Sequence, residues 1–448
     1  IGFLKPIKPC RQSSVSIHGP ILCGFALLHD LSLKVTMALL MAIHVWASQL
    51  FAQQPNMVLP PPNIKTVVLK PEDPEAYVPI VKLGEKLILS FDDLNADRQI
   101  YSYKIEHCDY FWQPSNLSTT EYMTGYSTDR FRNFQNSFNT LQYFTHYELQ
   151  IPNENNKIKI TGNYLISVLD QYGEVLFTRR FIYYQPRVNV SVTAHRSTNA
   201  SFINEKHSIQ FVINHQNLLL NDPNQEIKVD VYQNHDWNSV IKGIKPKYIR
   251  GTQLLYNYVD EISYWAGNEF LYFDTKEIRN ATNNIFKTRL DNIFNTYLYA
   301  TEARGRMPYS FFPDINGGFV LRTLDAQDVS LEGDYSLVHF SLDYKDNFPQ
   351  EDIYLYGSFN DWQINEENRM VYNQESGLYE NQLLFKQGFY NYTYVSVGSD
   401  GLINTHKVEG SFYQTENDYT VIVYYRRFGD RYDQVIGIGG ANSERLLN

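Results

Sequence analysis

His107-Cys108-Asp109 sets a base, a thiol and a carboxylate side by side. A cysteine nucleophile needs a base within hydrogen-bond reach and an environment that favours the thiolate. The flanking residues alternate in the manner of a strand, so neighbouring side chains point to opposite faces and these three do not converge. The triplet therefore reads as a strand end. Asp92-Asp93 and Glu366-Glu367 are adjacent acids, which also diverge on a strand and make poor acid/base pairs; solvated loops are expected for them. No G-x-S-x-G elbow, P-loop, H-E-x-x-H or dinucleotide fingerprint occurs. No catalytic, cofactor-binding or metal-ligating residue is assigned, and no enzyme activity or cofactor is expected.

The elements that would carry any site are strands. "YSYKI" places Tyr101, Tyr103 and Ile105 on one face, and "THYELQI" does the same with Tyr147, Leu149 and Ile151. "VNVSVTA" alternates Val188, Val190 and Val192 with polar residues, and "SIQFVIN", "IKVDVYQ", "LVHFSLDY" and "YTVIVYYRR" repeat the pattern. Turn signals such as "PNENNK", "DQYGE", "NDPNQE" and "GSDG" separate them. This predicts an all-β chain of tandem β-sandwiches, of the immunoglobulin-like or early-set kind. Modules are expected at 57–186, 187–310 and 311–430, followed by a polar, glycine-bearing tail at 431–448. Residues 276–296 fit either a short amphipathic helix or two strands around Asp291-Asn292.

The formal charge of −10 and the lack of a dense basic cluster argue against nucleic acid or an anionic membrane as partner. Aromatic residues make up 15% of the chain, with 35 Tyr and 27 Phe, which suits half-buried pleated surfaces. "MALLMAIHVWASQLFA" (37–52) has an apolar run after Lys34 and gives way to the polar "QQPNMVLPPPN". It reads as a signal peptide cleaved after Ala52, with residues 1–36 as a non-native upstream segment. No cysteine stands at the cleavage point, and no later run reaches the length of a transmembrane helix. The mature chain is expected to be soluble and exported, with no transmembrane segment. Cys10 and Cys23 would be lost with the leader, leaving Cys108 without a disulfide partner.

"YLYGSFNDW" (354–362) resembles a strand end of the glycogen-binding modules attached to glucan-processing enzymes. In that family sugar rings stack on exposed aromatics. The resemblance implies Trp362 as a stacking residue, Tyr390 on the following strand, and Asn417 as a polar sugar contact. The sequence departs from the family where a second stacking tryptophan belongs: Leu402 and Ile403 follow the Asp400-Gly401 turn. The alternative for Trp362 is packing at a sandwich corner. An exported glucan-binding protein is the second functional reading.

Longer segments resemble another family. They are His107-Cys108-Asp109 with Trp112 and Ser115, Glu121-Tyr122, Ser137-Phe138-Asn139-Thr140, Thr161-Gly162-Asn163-Tyr164 and Arg179-Arg180-Phe181. "AGNEFLYFDTKEIR" (266–279) and "TENDYTVIVYYRRFGDRYDQVIG" (415–437) extend the likeness along the chain. These are similar to the Plug protein of the type IX secretion system of Bacteroidota. The resemblance implies a non-enzymatic periplasmic stopper for a large outer-membrane β-barrel translocon. Its partner-binding residues cannot be named from sequence, because an exposed loop aromatic at an interface and a solvated one look alike.

Overall fold

The computed structural model describes residues 57–73, 76–345 and 351–446. The expected upstream segment and signal peptide lie outside the described residues. Among the described residues six sheets of four or more strands pack in pairs as three β-sandwiches. Among the described residues no helix is long and apolar enough to cross a membrane.

In the first sandwich one sheet orders Ile64–Pro71, Leu87–Asp93, Thr145–Ile151 and Asn133–Asn136. The facing sheet orders Ile80–Lys82, Val175–Tyr184, Gly162–Leu169, Ser102–Cys108 and Thr128–Arg130. The alternation meets its expectation: Tyr101, Tyr103, Ile105, Tyr147, Leu149 and Ile151 are all buried in one core. Phe91 stacks on Tyr147 at 5.1 Å between ring centroids and meets Phe177 edge-on at 5.3 Å. Such ring contacts add to the area that the aromatics bury.

The second sandwich opens with Asn189–Arg196 and Lys206–Asn214, continuing through Gln253–Tyr256 to Tyr248–Arg250. Its facing sheet orders Ile241–Lys242, Ile227–Gln233, Asp418–Tyr425 and Gln434–Asn442. The last two strands therefore lie in the middle module, where neither residues 418–425 nor the tail was expected. Val421 and Val423 pack in the core of Val229, Ile209 and Phe211. The tail is a strand because its glycines admit close packing. A Cβ on Gly437 would lie 2.5 Å from Val188 Cγ2, and one on Gly439 would lie 2.7 Å from the Val190 carbonyl oxygen.

The third sandwich is thus an insertion between Trp265 and Asp418 of the second. One sheet is built on the long strand Gly388–Gly398, which pairs with Leu271–Asp274, Phe319–Leu321, Glu351–Tyr356 and Ile403–Asn404. The other centres on Tyr335–Asp343 and Leu378–Lys386. Ile285–Leu290 and Phe294–Leu298 form a hairpin here, so the ambiguous stretch takes the two-strand form.

Candidate functional site at the junction of the sandwiches

The segments singled out in the first sandwich, residues 137–140 apart, converge on its joint with the second. His107 pairs across the sheet with Tyr164, and its Nδ1 lies 2.9 Å from Ser115 Oγ. The chain between them turns on Asp109, whose carboxylate accepts from the Phe111 and Gln113 amides. That turn holds Trp112 at a left-handed φ of 64°. Trp112 meets Trp237 of the second sandwich edge-on at 5.5 Å. Gly162 has φ +147°, and a Cβ there would lie 2.4 Å from His107 Nε2. The His-Cys-Asp and Thr-Gly-Asn-Tyr segments therefore fit together only with glycine at 162.

Polar contacts close the same joint. The Asn163 amide donates to the Asp109 carbonyl at 3.0 Å, and its oxygen accepts from the Tyr424 hydroxyl at 2.9 Å. Asp433 accepts from the Tyr110 amide and from Lys228. Arg431 ion-pairs with Glu121 across the surface of the joint. Cys108 is buried among these groups, and burial pushes its thiol up to about 12. Burial likewise lowers His107 to about 4. A thiol held protonated and an imidazole held neutral, on opposite faces of one strand, are packing residues, as the strand-end reading expects.

The joint between the first and third sandwiches is a buried ion pair. Lys386 Nζ lies 2.7 Å from Asp92 Oδ2, with 1% and 0% of the two side chains exposed. Asp92 also accepts from the Tyr335 hydroxyl at 2.7 Å, and its other oxygen lies 2.6 Å from His146 Nδ1. Burial would raise the Asp92 carboxyl, but Lys386 and His146 hold it below its ordinary value. Asp93 is equally buried and accepts from Tyr101 and Asn63 within its own sandwich. The expectation of a solvated acid pair fails at Asp92-Asp93. Their side chains do diverge, each into a separate buried network. Glu366 and Glu367 are at the surface, paired with Arg369 and Lys65.

The second and third sandwiches meet through Asp236, which accepts from the Tyr356 hydroxyl at 2.7 Å. Asn238 donates to Tyr356 and, at 2.6 Å, to the Trp362 carbonyl. Burial raises the Asp236 carboxyl to about 7.

Where the three joints meet lies a cavity of about 830 Å³. Arg179 and Arg180 reach it from the first sandwich, Tyr232 and Trp237 from the second, Phe319 and Asp361 from the third. Its wall gathers non-glycine residues with left-handed backbone: Asn234, His235, Asn316, Asp361 and Trp362, at φ between 51° and 59°. Each such residue costs of order 1 kcal/mol and persists only where its surroundings fix it.

The structure separates the three candidate sugar-binding residues. Trp362 is 5% exposed, packed on Tyr356 and Phe270, with its ring so close to Gly317 that a Cβ there would lie 2.3 Å away. Tyr390 is buried in the third core, stacked on Phe273 and Phe319. Asn417 is buried in the second sandwich, bonded to Gln233, Asn234 and the Ala266 carbonyl. They share no surface. Sequence reasoning missed Asp92, Lys386, Asp236 and the cavity, whose parts come from distant segments.

Residues 64–185 match the family described as Type 9 secretion system plug protein 1st domain. The chain belongs to the type IX secretion plug family. A crystal structure of a hypothetical protein from Parabacteroides merdae is 30% identical with a TM-score of 0.83, covering 86% of this chain and 98% of that one. The likeness to that protein thus spans all three sandwiches. The BSP domain of a biofilm associated protein aligns at 8% identity with a TM-score of 0.16, covering 88% of this chain and 61% of that one, and carries no argument. No curated protein matches. In this plug-family chain the matched domain supplies both Asp92, bonded to Lys386 of the third sandwich, and Asn163, bonded to Tyr424 of the second, so it is the part to which the other two sandwiches are locked.

Proposed function

We propose that the chain closes the periplasmic opening of the type IX translocon barrel in its resting state. The match of residues 64–185 to the plug first domain carries this reading. The joints support it physically. A stopper for a wide pore works best as one stiff body, because loops already fixed in place lose little entropy on docking. Exposed aromatics on turns, among them Tyr172, Tyr126 and Phe138, with 82%, 71% and 69% of their surface free, supply the kind of side chain that anchors an interface. A releasable contact of about 1,200–2,000 Å² with a polar rim suits a reversible plug. The glucan-binding alternative requires Trp362 at the surface, where it does not lie.

The test is recovery of the tagged chain from the detergent-solubilised envelope of its own organism. A very large outer-membrane β-barrel should co-purify, more abundantly when export cargo is absent. Recovery of glucan or glucan-processing enzymes without a barrel would overturn the reading.

A further inference from the structure

We propose that the cavity between the three sandwiches binds an amphipathic anion, a single carboxylate or phosphate headgroup on an apolar body, with Arg180 as its anchor. Arg180 is 6% exposed and lines the cavity, and its Nε has no hydrogen-bond partner. Its close contact is the face of Trp112, 4.8 Å from the guanidinium carbon. Among the described residues no carboxylate on the cavity wall hydrogen-bonds Arg180. Asp361, 3.9 Å from Arg179, attracts both arginines without bonding to Arg180, Asp418 accepts from the Asn316 and Asn442 amides, and Glu148 accepts from Asn133. Lys70 adds a further cation to the wall. A buried guanidinium without an acceptor is costly, and its fork of donors fits carboxylate or phosphate oxygens.

The rest of the wall sets the remainder of the ligand. Val78, Ile80, Trp237, Phe319 and Val320 present apolar surface around the arginine. The volume of about 830 Å³ lies within the range of small-molecule sites, roughly 300–1,000 Å³. An inorganic anion alone would leave those walls uncovered, and a neutral lipid would leave Arg180 unpaired. This inference does not depend on the plug reading, because the cavity is internal to the chain.

The experiment titrates the full chain with dodecanoate, dodecyl phosphate, dodecanol and inorganic phosphate, each below its aggregation threshold, and follows tryptophan fluorescence. Trp112, Trp237 and Trp362 all lie at or beside the cavity. Saturable binding of dodecanoate or dodecyl phosphate, at least about tenfold tighter than dodecanol, is expected, as one charge-assisted bond would give. The two anions tell a carboxylate site from a phosphate site. Arg180→Met should weaken binding by about tenfold or more. Val78→Trp, which takes up part of the apolar wall space and keeps the arginine, should also weaken it and decides the matter if Arg180→Met does not fold. Equal binding of dodecanol, binding unchanged in either folded variant, or no saturable binding of either anion would overturn the proposal.

Discussion

Replacing Lys386 by Met removes one half of the ion pair that joins the first and third sandwiches while keeping most of the side-chain volume. The pair is buried on both sides, and Lys386 Nζ also donates to the Ser330 carbonyl at 2.6 Å and sits 3.9 Å above the Phe144 ring. Breaking such a pair from one side strands the other charge and costs about 3–5 kcal/mol. Tyr335 and His146 still reach Asp92, so the lower end of that range is expected. The pH dependence has a definite sign. In the native protein the folded carboxyl is depressed, so its contribution is present above the ordinary aspartate range and is lost as pH falls through the folded value. Without Lys386, burial dominates and Asp92 takes a proton more readily. The gap between native and variant should therefore be widest near pH 7 and narrow towards pH 4. Urea unfolding at both pH values measures it, with Asp92→Leu/Lys386→Met expected to recover much of the loss. A cost below about 1 kcal/mol at neutral pH, typical of a surface pair, would refute the argument.

Gly162→Ala should destabilise the chain by about 2 kcal/mol or more, through both the left-handed φ and the contact with His107. His107→Ala in that background should recover only the steric part, and an alanine variant within about 0.5 kcal/mol of native in urea would show that the segments do not meet as described. Asp236 has the opposite sign to Asp92. Burial raises its folded carboxyl to about 7, so its contribution is complete below the unfolded aspartate value and is lost as pH rises towards 7. Asp236→Asn should flatten the fall in stability between pH 4 and pH 7, by at most about 4 kcal/mol. Parallel native and variant curves would count against it.

Strands were legible wherever alternation was regular, as in residues 101–105 and 145–151, because period two marks which side chains share a face. Alternation does not say which strand lies alongside. Val231 pairs with Val421 after the whole third sandwich has intervened, so the middle module could not be closed from local pattern. The strand at 434–442 escaped notice for a different reason. Its signal is glycine, chosen for approach to Val188 and Val190, and glycine contributes no hydrophobicity to a pattern. Asp92 read as a loop acid because its partner stands 294 residues away. The motif at Trp362 fits either a sugar platform or packing at a sandwich corner; what decides for packing is Gly317, on a separate loop, against which the ring lies.

The segments that resemble the plug family have a common placement that bears on how a plug works. Trp112, Asn163 and Arg180 sit at or beside the first joint, and the 415–437 segment crosses it to supply Tyr424 and Asp433. The loop at Ser137-Thr140 runs into the amides of Leu141 and Gln142, which donate to Asp334 of the third sandwich. These contacts fix one module against another and leave the exposed turns to vary. In a chain hinged at the joints, every docking event would have to order three bodies as well as the loops they carry. With the joints closed by a buried ion pair, an aromatic cluster and carboxylate–tyrosine bonds, that ordering is complete before any partner arrives, and the full area of contact is available for affinity.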